Sequence, residues 1–537
     1  MLSTYRKRAI YVILITYFIA NLFFLTNYPF IHSDESWLSG LSRNMLEKRD
    51  LSVTETFFDL YPRNPHAIKT IFHLIQILFI KGLGYSIFTV RLISLITGTI
   101  SLYLFYKLSL LLFKSKKLSL LAAVLLGLDI QYIYASHFAR QEIILVFILI
   151  LGLYFFYNKL TFGYNHKQGK GRISPHITLG VIIGLGAGIH PNSFIIALPY
   201  IFIYLYHLLA TKKIKVRSFL AFSLTLVVFA FFFIILSLSF DPDFLQHYSQ
   251  YGKKLGVLNP LSAKMKQLVY FYLKLFYGVS GTYYTPNIRF QFFLFGAVLF
   301  LSLGRVILVK KENNRELSLA LLLSILAINT GYILIGRYNQ TSIIFLFPLF
   351  YLLTIDLITN WPSAINYRIN SLIARKIKGI LFTGLILTLA VNTVLNLYTS
   401  SYDNYDDYLK DIATVVSRDA EVLANLNCEY YFANGKLHDY RNLGELKKHG
   451  LSFREYIIRN KIEYIIYPEE MDFIYNTRPV WNVLYGNLAY YYQEMQDFFQ
   501  NNCLLIHEFE NETYGMRIAR YIGKKNWKIK IYKVVSY

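Results

Sequence analysis

Ala67-Ile68-Lys69-Thr70-Ile71-Phe72-His73-Leu74-Ile75-Gln76-Ile77-Leu78-Phe79-Ile80-Lys81-Gly82 decides the fold. This stretch is apolar enough to resemble a membrane span. It is also short, and Lys69, His73, Gln76 and Lys81 are costly to place in hydrocarbon. Around it stand eleven longer apolar runs, near 9–27, 87–113, 118–136, 141–158, 176–190, 191–209, 218–239, 290–309, 317–335, 341–359 and 379–398. Each approaches the roughly twenty residues that cross a bilayer. If 67–82 also crosses, every later loop changes sides.

Charge separates the two topologies. With a cytoplasmic N-terminus and 67–82 not crossing, five basic clusters face the cytoplasm: Lys114/Lys116/Lys117, Lys159 to Arg172, Lys212/Lys213/Lys215/Arg217, Arg305/Lys310/Lys311 and Arg368/Arg375/Lys376/Lys378. If it crosses, all five face outward, against the positive-inside rule. The segment therefore reads as an amphipathic helix on the outer membrane surface. Loop 241–288 is then external although it carries Lys253, Lys254, Lys264, Lys266 and Lys274. Long loops obey the rule weakly. The first run follows Arg6-Lys7-Arg8 and has no small-residue cleavage site after it, so it reads as an uncleaved anchor.

Composition agrees. Of 537 residues, 55% are hydrophobic and 17% aromatic, which excludes a soluble enzyme. The net charge of +23 does not indicate a nucleic-acid partner. It is divided among short clusters between apolar runs, as orientation signals and lipid contacts are. Residues 399–537 differ in character, with 17 basic and 19 acidic residues. Runs such as Glu463-Tyr464-Ile465-Ile466-Tyr467 and Lys528-Ile529-Lys530-Ile531-Tyr532 pattern as strands, and 403–418 and 480–500 as helices. Cys428 and Cys503, the two cysteines, both lie here, and spacing alone does not establish that they meet.

The expected architecture is thus an all-α polytopic membrane domain, 1–398, of about eleven transmembrane helices plus outer juxtamembrane helices. A small α/β extracytoplasmic domain, 399–537, follows. The setting is a cell membrane, crossed several times.

This topology gathers the unusual polar residues on the outer face. Asp34 and Glu35, in His32-Ser33-Asp34-Glu35-Ser36-Trp37, follow the first run. Adjacent carboxylates there can take a proton, hold a cation or orient a substrate, or Ser33 or Asp34 can simply cap a helix. Arg63, Asn64 and His66 precede the surface helix. Arg91 lies at the outer start of the next span, either in a site or snorkelling to the surface. His137, Arg140, Gln141 and Glu142 share one outer turn, where Glu142 either serves a site or pairs with Arg140. His190-Pro191 forms another turn, functional or merely helix-ending. Arg337-Tyr338 forms a third, with Arg337 either a ligand or an anchor. No His-x-x-x-His or Cys-x-x-Cys spacing supports a metal, and no Gly-rich phosphate loop supports a soluble nucleotide. A divalent cation is compatible with the chain, but no ligand motif argues for one, and no cofactor is required.

These motifs, in this order, resemble the GT-C membrane glycosyltransferases that include the protein O-mannosyltransferases and the lipid A aminoarabinose transferases. The resemblance covers roughly residues 1–360. Its elements are Asp34-Glu35, Asn64-Pro65-His66, Phe88-Thr89-Val90-Arg91, Ala139-Arg140-Gln141-Glu142, Gly186-Ala187-Gly188-Ile189-His190-Pro191, and Arg337-Tyr338 with Pro348. His66 departs from the pattern in lacking the prolines that follow it in the family. The resemblance implies transfer of a sugar from a polyprenyl-phosphate donor to a lipid, glycan or protein acceptor on the extracytoplasmic face. Asp34 would be the general base and Glu35 its support. Arg91, Arg140, Arg337 or the lysines of 253–274 would bind the donor phosphate. His66, Glu142, His190 and Tyr338 would bind substrate. A transporter or lipid flippase is the main alternative. Such proteins place ionisable groups near the membrane midplane, whereas here only Asp129 lies deep. A non-catalytic assembly protein is a third reading, with the tail as its interaction surface.

The basic clusters fix which loops an external reagent can reach. In a background lacking the native cysteines, a cysteine at position 213 should be shielded from an impermeant thiol reagent in intact cells. One at position 436 should be labelled. The reverse pattern would overturn the orientation.

Overall fold

A chain in hydrocarbon must satisfy its own backbone, and the apolar runs do so as helices. The computed structural model describes residues 2–161, 173–279, 282–308, 315–360, 371–399, 404–517 and 526–536. The basic groups Lys167, Lys170, Arg172, Lys310, Lys311 and Arg368 lie outside the described residues. In chain order the membrane part contains α1 (Leu2–Phe24), α2 (Ser33–Lys48), α3 (Thr70–Leu83), α4 (Ile87–Phe113), α5 (Lys116–Gly127), α6 (Ile130–His137), α7 (Glu142–Phe155) and α8 (Ser174–Gly184). It continues with α9 (Ser193–Leu209), α10 (Val216–Phe240), α11 (Phe244–Lys254), α12 (Leu261–Tyr277), α13 (Arg289–Leu308), α14 (Arg315–Ile335), α15 (Phe347–Asn360) and α16 (Ser371–Thr399).

Among the described residues, seven helices are long and apolar enough to cross a membrane, or eight if α5 and α6 form one broken span. All eleven expected runs are largely helical, but several are shortened or broken. The break between α5 and α6, a bend of 66°, has a clear cause. Buried Asp129 sits there and caps α6, its Oδ1 accepting from Gln131 N at 2.8 Å. Its Oδ2 accepts from Gln291 at 3.1 Å and from the Tyr351 hydroxyl at 2.5 Å. The decisive stretch, 67–82, forms α3, whose 14 residues rise about 21 Å, short of a bilayer core. His73 and Gln76 turn inward, against α2, while Lys81 stays exposed: Ser42 Oγ lies 2.8 Å from His73 Nδ1 and donates to Gln76 Oε1 at 2.6 Å.

The tail begins with α17 (Tyr405–Ala413) and forms a five-stranded sheet. Its strands are β1 (Val422–Ala424), β2 (Leu437–Asp439), β3 (Tyr464–Pro468), β4 (Cys503–Asn511) and β5 (Trp527–Val534), in the order β2-β1-β3-β5-β4. The three short strands are parallel. The two runs read from sequence as strands are antiparallel neighbours, Tyr464 opposite Lys533 and Pro468 opposite Ile529. Cys428 and Cys503 are both free.

The sheet shares an apolar core with the segment around α2, where Ile31, Phe57 and Phe58 join Val422, Ile466 and Ile529. Polar contacts fix the register. Ser39 Oγ lies 2.9 Å from the Tyr430 hydroxyl, and Asp439 N donates to Phe57 O at 3.1 Å. Arg43 Nη1 donates to Phe432 O at 2.9 Å and to Glu429 Oε1 at 3.3 Å.

Burial at this junction pushes the Glu429 carboxyl from an ordinary 4.5 up to about 8, against the pull of Arg43. An acid whose pKa is raised by folding stabilises the folded state fully below its unfolded pKa. That contribution is lost as pH rises through the folded one. The melting temperature of the full chain should therefore fall between about pH 4.5 and about pH 8 through this group. Glu429→Gln should flatten that part of the pH profile, and an unchanged profile would remove Glu429 as its source.

Candidate active site

The site starts from the way α2 begins. Its N-cap is His32, not Ser33 or Asp34 as the sequence suggested. The His32 ring accepts from Asp34 N at 3.0 Å, and Glu35 Oε1 accepts from His32 N at 3.0 Å, a reciprocal capping box. Because Nδ1 accepts, Nε2 carries the proton, and it donates to Thr282 Oγ1 at 2.8 Å. Burial holds His32 down at about 4, so the ring is neutral. With His32 and Glu35 satisfying the cap, the Asp34 side chain is left to face elsewhere.

Adjacent in sequence, the two carboxylates differ sharply in surroundings. Glu35 is fully buried against fully buried Arg91. Arg91 donates to Glu35 at 2.8 and 2.7 Å, to Leu25 O at 2.9 Å, to Pro29 O at 3.0 Å and to Phe30 O at 3.4 Å. All five of its N–H groups are used. Glu35 also accepts from Ala139 N at 2.9 Å.

Asp34, by contrast, keeps 27% of its side-chain surface open. Its Oδ2 is 2.5 Å from Arg140 Nη1 and accepts from the Tyr283 hydroxyl. Its Oδ1 has no hydrogen-bond partner among the described residues; the neutral His32 ring lies nearby, its Nδ1 3.7 Å away. Burial pushes the Asp34 carboxyl up, but Arg140, His32 and Tyr283 together outweigh it and hold the group below the ordinary carboxylate range. Asp34 is thus an ionised group with one oxygen free.

Asp34 lines a cavity of about 460 Å³. Asp34, Lys69, Arg140, His190 and Arg337 line it, and Glu445 adds a wall from the tail. Its cations differ in how far they are engaged. Arg63 is held by Glu55 at 3.0 and 2.9 Å and lies over the Trp37 ring, its Cζ 4.9 Å from the centroid. Arg140 is shared among Asp34, Glu142 at 3.2 Å and Tyr283. The side chains of Lys69 and Arg337 have no hydrogen bond or ion pair among the described residues. Burial, with Arg63, Arg140 and Arg337 nearby, lowers the Lys69 ammonium to about 8. Like charges held close with no protein counter-ion make a site for an anion. Asp241 and His247, paired at 2.7 Å, also stand on the wall. Among the described residues no group of three or more His, Cys, Asp or Glu side chains is placed to hold a metal ion.

A helical bundle with a small α/β tail has known counterparts. The family model of the dolichyl-phosphate-mannose-protein mannosyltransferases matches residues 69–237. By sequence, no curated protein matches the chain. By structure, ArnT from Cupriavidus metallidurans bound to undecaprenyl phosphate superimposes with a TM-score of 0.53 at 12% identity, covering 86% of this chain and 95% of ArnT. The oligosaccharyltransferase of Archaeoglobus fulgidus, tethered to an acceptor peptide, gives 0.53 at 13% identity, covering 89% of this chain and 72% of that one. The archaeal oligosaccharyltransferase AglB, in complex with an inhibitory peptide and a dolichol-phosphate, gives 0.51 at 14% identity, covering 87% and 71%.

The fold is the one that ArnT and the archaeal oligosaccharyltransferase share. At these identities the likeness is one of fold, so residue roles rest on the geometry of this chain itself.

Of the residues singled out from sequence, Asp34, His66, Arg140, His190 and Arg337 meet at the cavity. Four do not. Glu35 and Arg91 consume each other and reach no open space, so Arg91 has no N–H left for a phosphate. Tyr338 turns away, its hydroxyl donating to Lys264 O at 2.5 Å. Glu142 lies behind Arg140, accepting from Thr341 Oγ1 at 2.5 Å. The sequence reading missed Lys69, which it placed on the polar face of a surface helix. Its position just before that helix, close after Arg63 and His66, was the available signal. Tyr283 lies 249 positions from Asp34 and carries no local signal at all.

Removing one partner of a buried ion pair leaves the other charge uncompensated, at a cost of about 3–5 kcal/mol. Arg91→Ala should therefore lower the melting temperature and the yield of monodisperse protein, before any effect on ligand binding. A normally folded Arg91→Ala variant with selectively weakened phosphate binding would restore Arg91 to the donor site.

Proposed function

We propose that this chain is an integral-membrane glycosyltransferase that moves a sugar from a polyprenyl-phosphate donor to an acceptor on the extracytoplasmic face. The observation that carries this reading is the pairing, in one cavity, of a carboxylate with an open oxygen and cations with no protein counter-ion. Asp34 Oδ1 is the base. Lys69 and Arg337, with Lys254 on the same wall, take the phosphate. The counterparts support this assignment of ligand class, since ArnT is bound to undecaprenyl phosphate and AglB to a dolichol-phosphate.

The chemistry follows from the placement. Asp34 takes the proton of the acceptor nucleophile as that nucleophile forms a bond to the anomeric carbon. The bond from that carbon to the phosphate oxygen breaks, and polyprenyl phosphate leaves with its charge met by Lys69 and Arg337. Arg140 couples the two ends. It holds Asp34 Oδ2 at 2.5 Å, which makes the carboxylate a weak base. A phosphate entering the cavity would draw on the same guanidinium, loosening its hold and raising the basicity of Asp34 as donor arrives.

The transport reading lacks a comparable feature. Asp129, the deep carboxylate, is spent on four hydrogen bonds within the helix bundle.

Asp34→Asn keeps the size and the hydrogen bond from Tyr283 but cannot accept the proton. Turnover from a polyprenyl-phosphate sugar in purified membranes should fall by about 10²–10⁴-fold at equal protein level. Lys69→Met and Arg337→Ala should act mainly on donor KM. Full activity in Asp34→Asn would make the carboxylate structural.

A further inference from the structure

Gln141 lines the cavity and is only 1% exposed. Neither its amide nitrogen nor its amide oxygen has a hydrogen-bond partner among the described residues. The ordinary local role is also absent. Gln141 is the N-cap residue of α7, yet its side chain makes no capping bond. A buried amide without partners is destabilising, and native proteins rarely tolerate one without a use for it. Here both of its functional atoms are held ready, on the residue beside Arg140.

The donor and acceptor pattern narrows the ligand. Lys69 and Arg337 can only donate, which suits an ionised phosphate. Gln141 can donate from Nε2 and accept at Oε1 side by side; an ionised phosphodiester can meet only the donor, whereas a pair of neighbouring hydroxyls can meet both. The nearby imidazoles extend this mixed character. His190 Nδ1 accepts from Asn192 N at 3.0 Å, so its Nε2 carries the proton. His66 Nδ1 is buried without a partner among the described residues.

We propose that Gln141 is a specificity-determining residue that reads two adjacent hydroxyls of the transferred sugar, accepting from one and donating to the other. The cavity then has a phosphate-reading part, made of cations, and a sugar-reading part, centred on this amide. The inference rests on the glycosyltransferase reading above. It adds that the donor sugar is a neutral polyol carrying a vicinal diol.

The test uses the full chain in detergent with Gln141→Met, which keeps the length of the side chain and removes both hydrogen-bonding functions. Binding is measured to undecaprenyl phosphate and to undecaprenyl-phosphate mannose, glucose, galactose and arabinose, together with the melting temperature without ligand. The wild type should prefer at least one sugar-bearing lipid over the bare phosphate. In Q141M that preference should shrink by about 10–100-fold, the equivalent of two hydrogen bonds. Affinity for bare undecaprenyl phosphate should stay within about 2-fold, and the melting temperature should hold or rise because an unmet amide is gone. An unchanged sugar preference in Q141M overturns the inference while leaving the glycosyltransferase reading intact. A fall in melting temperature with loss of bare-phosphate affinity makes Gln141 structural and overturns it too. A wild type that neither prefers nor transfers any of these sugars overturns the glycosyltransferase reading itself.

Discussion

The fully buried ion pair between Glu35 and Arg91 is the constraint on which the rest of the site depends. One guanidinium gathers Leu25, Pro29 and Phe30 from the strand of chain leaving α1. One carboxylate gathers His32 and Ala139. The pair thus fixes four segments: the exit of α1, the start of α2, the start of α4, and the turn that carries Arg140. Charges placed in a low-dielectric interior demand such complete pairing, because each unmet N–H or lone pair is expensive. The consequence for chemistry is indirect. By holding Ala139, Glu35 delivers the next residue, Arg140, to the next carboxylate, Asp34.

The cavity shows the opposite principle. In the Glu35–Arg91 pair every polar atom is met, whereas along the cavity wall several are not. Lys69 and Arg337 lack counter-ions, Gln141 lacks partners, and Asp34 offers an open oxygen. Stability argues against each of these, and together they leave the cavity with polar groups open to a ligand. The rigid pair and the unsatisfied wall are complementary. Unmet groups hold useful positions only when their neighbours are over-determined.

The α/β tail is part of this arrangement. Its sheet shares a core with Ile31, Phe57 and Phe58, and its Arg441 lies over Trp37, the guanidinium carbon 4.4 Å from the ring centroid. Trp37 in turn donates to Glu55 at 2.5 Å, and Glu55 holds Arg63. A chain of contacts therefore runs from the tail to the cavity wall. The tail closes one side of the site with Glu445.

Much of this was legible in the sequence. Apolar runs of bilayer length had to become helices, since nothing else satisfies a backbone in hydrocarbon. The polar groups of 67–82 set it apart from them, and the structure makes it a 14-residue helix packed on α2. Alternating runs in the tail became paired strands. Asp34 stood out because carboxylates are scarce in residues 1–398. What the sequence could not decide was the choice of partners. Arg91 and Arg140 are the same residue type at similar expected depth, yet one is consumed by Glu35 and the other meets Asp34 from 106 positions away. Lys69 and Tyr283 became site residues only because the helices brought them there. Local periodicity and charge fix which segments are buried and what residue types they carry. Which donor meets which acceptor depends on distances of a few ångströms between remote segments, and only the packed helices set those distances.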